Sequence, residues 1–242
     1  MRRFRLALLA AGLALAVGIG LLAHLGYFGG DIFRLYPARG PSAVAERHVG
    51  VVFLSSDMGL NVGMGGQIAD RIAADGLPVV GVNSLTYFRH QRTPGEATAL
   101  IEDAMRRALA RPGVDSLVLI GQSFGADMLQ ASFPDLPAAY RDKVLLAILV
   151  VPPDTTMYRA SPAEIFDFGQ RGIPAAARAR RLTDVPLLCV QGAQEDDSLC
   201  PALTMPNVTR VALPGGHMLN FDPDRLYAAI APELRRAAQH YQ

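Results

Sequence analysis

The chain has 242 residues, half of them hydrophobic, with 23 Lys and Arg set against 22 Asp and Glu. That length suits one medium domain with a real core, and that apolar content excludes a disordered chain. The balanced charge lacks the basic excess that nucleic-acid binding requires, so no nucleic-acid partner is expected.

The chain opens on "MRRFR", with Arg2, Arg3 and Arg5 ahead of an uncharged run from Leu6 to Ala23. Such a run is a secretory signal or a signal anchor. It is long for a cleaved signal and close to the minimum for a membrane span. Leu21 makes a poor cleavage motif if Ala23 were the last residue removed. Both alternatives stay open, and both carry the rest of the chain across the membrane, because the arginines stay on the cytoplasmic side. Residues 1–28 are therefore read as signal or anchor, 29–48 as a linker and 49–242 as the folded domain. Cys189 and Cys200 suit export, since an even count in an oxidising compartment permits a bridge. Two buried free thiols are the other reading.

From Val49 onward strands and helices alternate. "VGVVFLSS" reads as a buried strand, and "GGQIADRIAADGLP" as a helix with Ile68, Ile72 and Ala73 on one face. The strand "PVVGVNSL" comes next. "RTPGEATALIEDAMRRALARPG" carries a capping box at Thr93 and Glu96, with Pro94 at the first helical position. Its apolar face is Ala97, Ile101, Ala104, Met105 and Ala108. Then follow the strand "DSLVLIGQS", a helix from Phe124, the strand "KVLLAILVVPP" and a Pro-, Ala- and Arg-rich stretch over 154–182. The strands "VPLLCVQG" and "VTRVALPGG" and the helix "DRLYAAIAPELRRAAQHY" complete the chain. Near-continuous apolar strands alternating with helices predict a mainly parallel sheet covered on both faces, with its site beyond the carboxyl ends of the strands.

Gly121-Gln122-Ser123-Phe124-Gly125 lies between a predicted strand and a predicted helix, the pattern of a nucleophile elbow. Ser123 is the candidate nucleophile. A serine needs a base, and of the five histidines His217 follows a strand end late in the chain, where this architecture places it. The base needs an acid to fix its tautomer. The loop "VQGAQEDDSLCP" offers Glu195, Asp196 and Asp197. Counting back from Pro201 selects Asp197 and counting forward from Gly192 selects Glu195; Asp197 is preferred here, with Asp196 as the alternative. The order Ser, Asp, His is that of the α/β-hydrolase fold. Oxyanion donors are expected from the backbone N–H of Phe124 and of Asp57 or Met58. The triad calls for no cofactor and no metal.

The stretches "FLSSDMG", "LPVVGVNSLTYF", "RTPGEA", "LVLIGQSFGAD", "VQGAQEDDSLCP" and "LPGGHMLNFD" resemble the bacterial virulence protein family of AcvB and VirJ. The resemblance implies a periplasmic α/β-hydrolase, which the N-terminal segment would leave anchored in the inner membrane or, if cleaved, released into the periplasm. For AcvB-type members it implies hydrolysis of lysyl-phosphatidylglycerol, an aminoacylated phospholipid, and through VirJ it implies proteins of type IV secretion as partners. The chain departs from the family at "SSDMGLN", where the family has "SGDGGW", at Gln122, where it has Tyr, and at Met218, where a second histidine is usual. An aminoacyl ester carries an ammonium. Asp127, one helical turn after Ser123, is a candidate to pair with it or to serve the scaffold beneath the elbow. Asp57 is a second candidate for the ammonium. Tyr87 and Phe88 either line the pocket or pack ordinarily.

Overall fold

The computed structural model describes residues 2–39, 48–160 and 172–239. Residues 40–47 of the linker, residues 161–171 of the Pro-, Ala- and Arg-rich stretch, and the chain from His240 lie outside them.

Six apolar segments pair side by side as β2 (Val49–Leu54), β3 (Val79–Val82), β4 (Ser116–Gln122), β5 (Val144–Val150), β8 (Leu187–Gly192) and β9 (Val208–Leu213). With β1 (Phe33–Tyr36) they form one sheet in the order β1-β3-β2-β4-β5-β8-β9. All the pairings are parallel except β1 with β3, where Phe33 lies opposite Val82 and Tyr36 opposite Val79. The alternation of strand side chains feeds two cores. Val52 and Leu54 of β2 pack on one face with α4 (Pro94–Leu109) and α5 (Phe124–Ser132). Val51 and Phe53 pack on the other with α2 (Gly65–Ala74) and α8 (Pro223–Gln239).

The expected helix signals are present. Thr93 Oγ1 accepts from the Glu96 N–H and Glu96 Oε2 accepts from the Thr93 N–H, a complete capping box that starts α4 at Pro94. Ala97, Ile101, Ala104, Met105 and Ala108 all turn inward.

The linker departs from its expectation. It was read as a plain connector over 29–48, yet Phe33–Tyr36 forms the antiparallel edge strand of the sheet. Before it, α1 (Arg2–Leu25) is a 24-residue helix, uncharged after Arg5, that stands clear of the domain over most of its length. Only its last turn touches the domain, where Leu25 joins the core. Beyond "PVVGV" the short helix α3 (Ser84–Phe88) continues the chain, with Asn83 as its N-cap. The remaining short pieces are α6 (Ala138–Arg141), α7 (Ala176–Ala179), and an antiparallel pair of β6 (Thr155–Thr156) with β7 (Ile173–Pro174) beside the end of β5.

Candidate active site

Ser123 joins the end of β4 to the start of α5 with φ 51° and ψ −121°, a left-handed backbone that a non-glycine residue holds only under constraint. Two close approaches supply that constraint. A Cβ at Gly121 would come within 2.6 Å of Ala126 Cα, and one at Gly125 would meet the carbonyl of Leu54 and lie 2.6 Å from that of Ser55. The glycines let strand and helix meet, and the serine is pushed out at the bend. Phe124 is the first residue of α5, so its N–H has no partner within the helix and points past Ser123.

The Ser123 Oγ lies 2.8 Å from His217 Nε2. His217 is carried by the loop after β9, which turns at Gly215 (φ 103°). On the far side of the ring, His217 Nδ1 is 2.5 Å from Glu195 Oε1. The other oxygen of Glu195 accepts the N–H of Gly192 at 3.1 Å, and its side chain is fully buried. Burial disfavours the imidazolium of His217. The Glu195 hydrogen bond and the charges of Glu195, Asp197 and Asp57 outweigh it, so the ring's pKa is raised above its ordinary value.

The acid is therefore placed differently from the expectation. Asp197, and Asp196 after it, stood as candidates; both are exposed, and the carboxylate on Nδ1 is that of Glu195. The reason is local. Glu195 N–H bonds back to the Gly192 carbonyl, so the turn off β8 closes within three residues and the longer glutamate side chain folds in under the imidazole. The extra length of the loop lies after the acid, where Ser198 bridges to Pro153 and Leu199 N–H reaches Pro152. The signal was the spacing from the strand end at Gly192; the downstream Pro201 misled the count.

Cys189 and Cys200 form a disulfide, with both residues fully buried. It joins the middle of β8 to the far end of the acid loop, and such a bond fits a protein outside the cytoplasm.

A cavity of about 490 Å³ opens over Ser123, a size suited to a small-molecule group. Its walls come from the carboxyl ends of β2, β4, β5, β8 and β9, and they include Asp57, Met58, Asp127, Met157, Asp197 and Phe221. Among the described lining residues there are three aspartates and neither lysine nor arginine. Asp127 is buried beneath the elbow. Burial raises the pKa of Asp57, while His217 and the N–H groups of Asp57 and Met58 act in the opposite direction. The Met58 N–H also donates to Ser56 Oγ at 3.2 Å. The two candidates for the second oxyanion donor, the N–H groups of Asp57 and Met58, are thus engaged by local oxygens, and an incoming oxyanion has to displace these. Tyr87 does not line the cavity: α3 turns it away, its hydroxyl donates to the Glu96 carbonyl at 3.2 Å, and Arg92 stacks 4.4 Å from its ring centre. Phe88 is buried edge-on against Phe124.

Glu195, Asp197 and His217 also bring ligand atoms within 4.8 Å of one another, which a metal ion could in principle share. Both oxygens of Glu195 and both ring nitrogens of His217 are already hydrogen-bonded, an arrangement suited to proton transfer rather than to a cation.

A parallel sheet with a strained Ser elbow, a His after the last strand and a carboxylate after the strand before it defines an α/β-hydrolase. Solved structures agree on the fold. A proline iminopeptidase from Mycobacterium smegmatis has a TM-score of 0.62 at 13% identity, covering 87% of this chain and 96% of that one. Est1E from Butyrivibrio proteoclasticus with ferulic acid bound has a TM-score of 0.60 at 13% identity, covering 85% and 94%. MenH from S. aureus has a TM-score of 0.59 at 11% identity, covering 86% and 99%. The family model of the bacterial virulence protein VirJ matches residues 48–238, and the chain belongs to that family. Comparison with curated proteins finds no match.

Proposed function

We propose that the protein is a serine hydrolase that cleaves the aminoacyl ester of lysyl-phosphatidylglycerol on the periplasmic side of the inner membrane. The observation that carries the hydrolase reading is the continuous hydrogen-bonded line from Ser123 Oγ through His217 to Glu195. The acidic lining of the cavity and the family favour a cationic acyl group.

His217 Nε2 takes the Ser123 proton as Oγ attacks the ester carbonyl. Glu195 stabilises the imidazolium from Nδ1 without taking the proton. The Phe124 N–H and an N–H of the 57–58 turn receive the oxyanion. The imidazolium then protonates the leaving glycerol oxygen, which departs as phosphatidylglycerol and leaves lysyl-Ser123. Water, deprotonated by His217, attacks the acyl-enzyme, and free lysine leaves as Ser123 recovers its proton. The two ammonium groups of lysine find Asp57, Asp127 and Asp197 around the cavity, and the site needs no cofactor.

The test is a substrate panel. Purified protein is given lysyl-phosphatidylglycerol and plain phosphatidylglycerol in vesicles, and products are identified by mass spectrometry. Free lysine from the first lipid alone is expected, and Ser123→Ala abolishes it. Release of fatty acid from both lipids would make the protein a general lipase. No Ser123-dependent product from either lipid or from a short soluble ester would leave a non-catalytic accessory protein of secretion.

A further inference from the structure

The end of α1 is built into the domain. Asn61 Nδ2 donates to the His24 carbonyl at 2.5 Å, and Thr86 Oγ1 donates to the Gly26 carbonyl at 3.1 Å. Arg34 holds the same Asn61 from its other side at 2.6 Å. Leu25 is buried, and Leu22 and Tyr27 pack against the same core. The fit is close: Gly26 turns at φ 90°, and a Cβ on Gly59 would stand 2.9 Å from the Leu25 carbonyl.

The place of this brace matters more than its strength. Asn61 lies in the segment that follows β2, three residues after Met58 of the cavity wall, and Thr86 lies just beyond the end of β3. Both partners of α1 are therefore at the carboxyl edge of the sheet, the edge that carries Ser123, Glu195 and His217. The large apolar side chains exposed there point to the same face. Outside α1, the described residues of this kind are Phe28, Leu35, Ile173, Met218 and Phe221. Phe28 adjoins the brace. Ile173 pairs with Thr156 just past β5. Met218 and Phe221 are on the rim of the cavity. Only Leu35, on the edge strand, stands apart. The opposite edge carries the polar turn of Arg111 and Asp115 before β4.

Eighteen uncharged residues from Leu6 to Ala23 span roughly 27 Å as a helix, close to the hydrocarbon core of a bilayer. We propose that α1 is retained as the membrane anchor and that its braced end holds the catalytic face, with the cavity mouth and its apolar rim, against the bilayer from which the helix emerges. An anchor joined through a slack linker would let the domain tumble. The brace fixes its orientation, so an ester at headgroup level is presented to Ser123 without leaving the membrane. This rests on the membrane reading of α1 and is independent of which ester is cleaved.

Because the native cysteines are paired, an added thiol is the one free group among the described residues. The full chain carrying Phe221→Cys or Arg111→Cys, each labelled with an environment-sensitive fluorophore, is reconstituted in vesicles of phosphatidylethanolamine and phosphatidylglycerol that contain a headgroup nitroxide lipid. The label at 221 is expected to be quenched several-fold more than the label at 111. Equal quenching, or stronger quenching at 111, overturns the proposal. Adding Asn61→Ala and Thr86→Val should bring the two labels together, while the unlabelled chain with only Asn61→Ala and Thr86→Val keeps its turnover of a short soluble ester. Persistent quenching at 221 alone in that variant overturns the brace. The intact mass of the membrane-extracted chain should include residues 1–23, and a chain that starts at His24 overturns retention. Loss of soluble-ester turnover in the unaltered chain would instead count against the hydrolase reading and leave the quenching result standing.

Discussion

Glu195 reaches the Nδ1 of His217 at 2.5 Å from a loop in which two aspartates follow it directly and neither makes that contact. A buried carboxylate with both oxygens hydrogen-bonded holds the ring in one tautomer, whereas an exposed one can only add to the local field. Glu195→Gln should therefore lower kcat by about three to four decades, as loss of the orienting acid does in such triads. Asp197→Asn should cost far less. Steady-state turnover of one ester by the two variants checks the ranking, and an equal or reversed loss returns the role to Asp197.

Ser123→Ala should leave the circular dichroism spectrum unchanged and abolish turnover to the level of oxyanion-hole catalysis, about six decades down. Alanine keeps the Cβ that the left-handed bend already accommodates, so the fold has no reason to change. Near-normal rates in this variant would mean that another group attacks.

The acid limb of kcat/KM should lie above the ordinary histidine value of about 6.5, because the His217 pKa is raised. Activity needs the neutral ring, so it falls as pH drops through that raised value. In Glu195→Gln the limb should move to lower pH, because the partner that favours the imidazolium is gone. Folding carries the opposite sign. The raised pKa stabilises the folded state below the unfolded value, and that contribution is lost as pH rises through the folded one. A pH–rate profile for the two proteins tests the first part, and melting temperature against pH tests the second.

Asp57→Asn should raise KM for a lysyl ester while changing that for a neutral acyl ester little, since the change removes a charge and preserves shape. A parallel loss on both esters would place Asp57 in the general architecture of the oxyanion turn instead.

Replacing both Cys189 and Cys200 by alanine should cost roughly 2–3 kcal/mol on the chain-entropy account of a short ring. For a domain of this size that lowers Tm by roughly 5–10 °C. The ring carries Glu195, so kcat should fall below the melting transition as well. Unchanged kcat in the folded variant would reduce the bond to a staple.

The sheet, its helices and the pair of Ser123 and His217 were legible because each rests on a local rule: apolar strand runs, the Thr93 capping box, and glycines at both shoulders of the elbow. The acid was not, because three carboxylates in a row satisfy the same rule. Only the turn that Glu195 makes onto Gly192 separates them. Whether Tyr87 lines the pocket or packs ordinarily was not legible, because the strand pattern "PVVGVNSL" runs past its true end at Val82, whereas Asn83 caps a new helix there that carries Tyr87 away. The edge strand at Phe33–Tyr36 is four residues long and half exposed, so it lacks both the length and the apolar run that mark a buried strand.

Every replacement of glycine by point mutation adds a Cβ. At Gly121 and Gly125 the nearest atoms to it are backbone, of Gly125 and Ala126 in the first case and of Leu54 and Ser55 in the second, and backbone cannot swing aside as a side chain does. For a lineage carrying this gene, every single-step variant at either codon forces that backbone to shift. Change around the nucleophile enters more readily through Gln122 and Phe124, which line the cavity. The elbow therefore directs tolerated change toward the two positions beside the serine that line what it can reach.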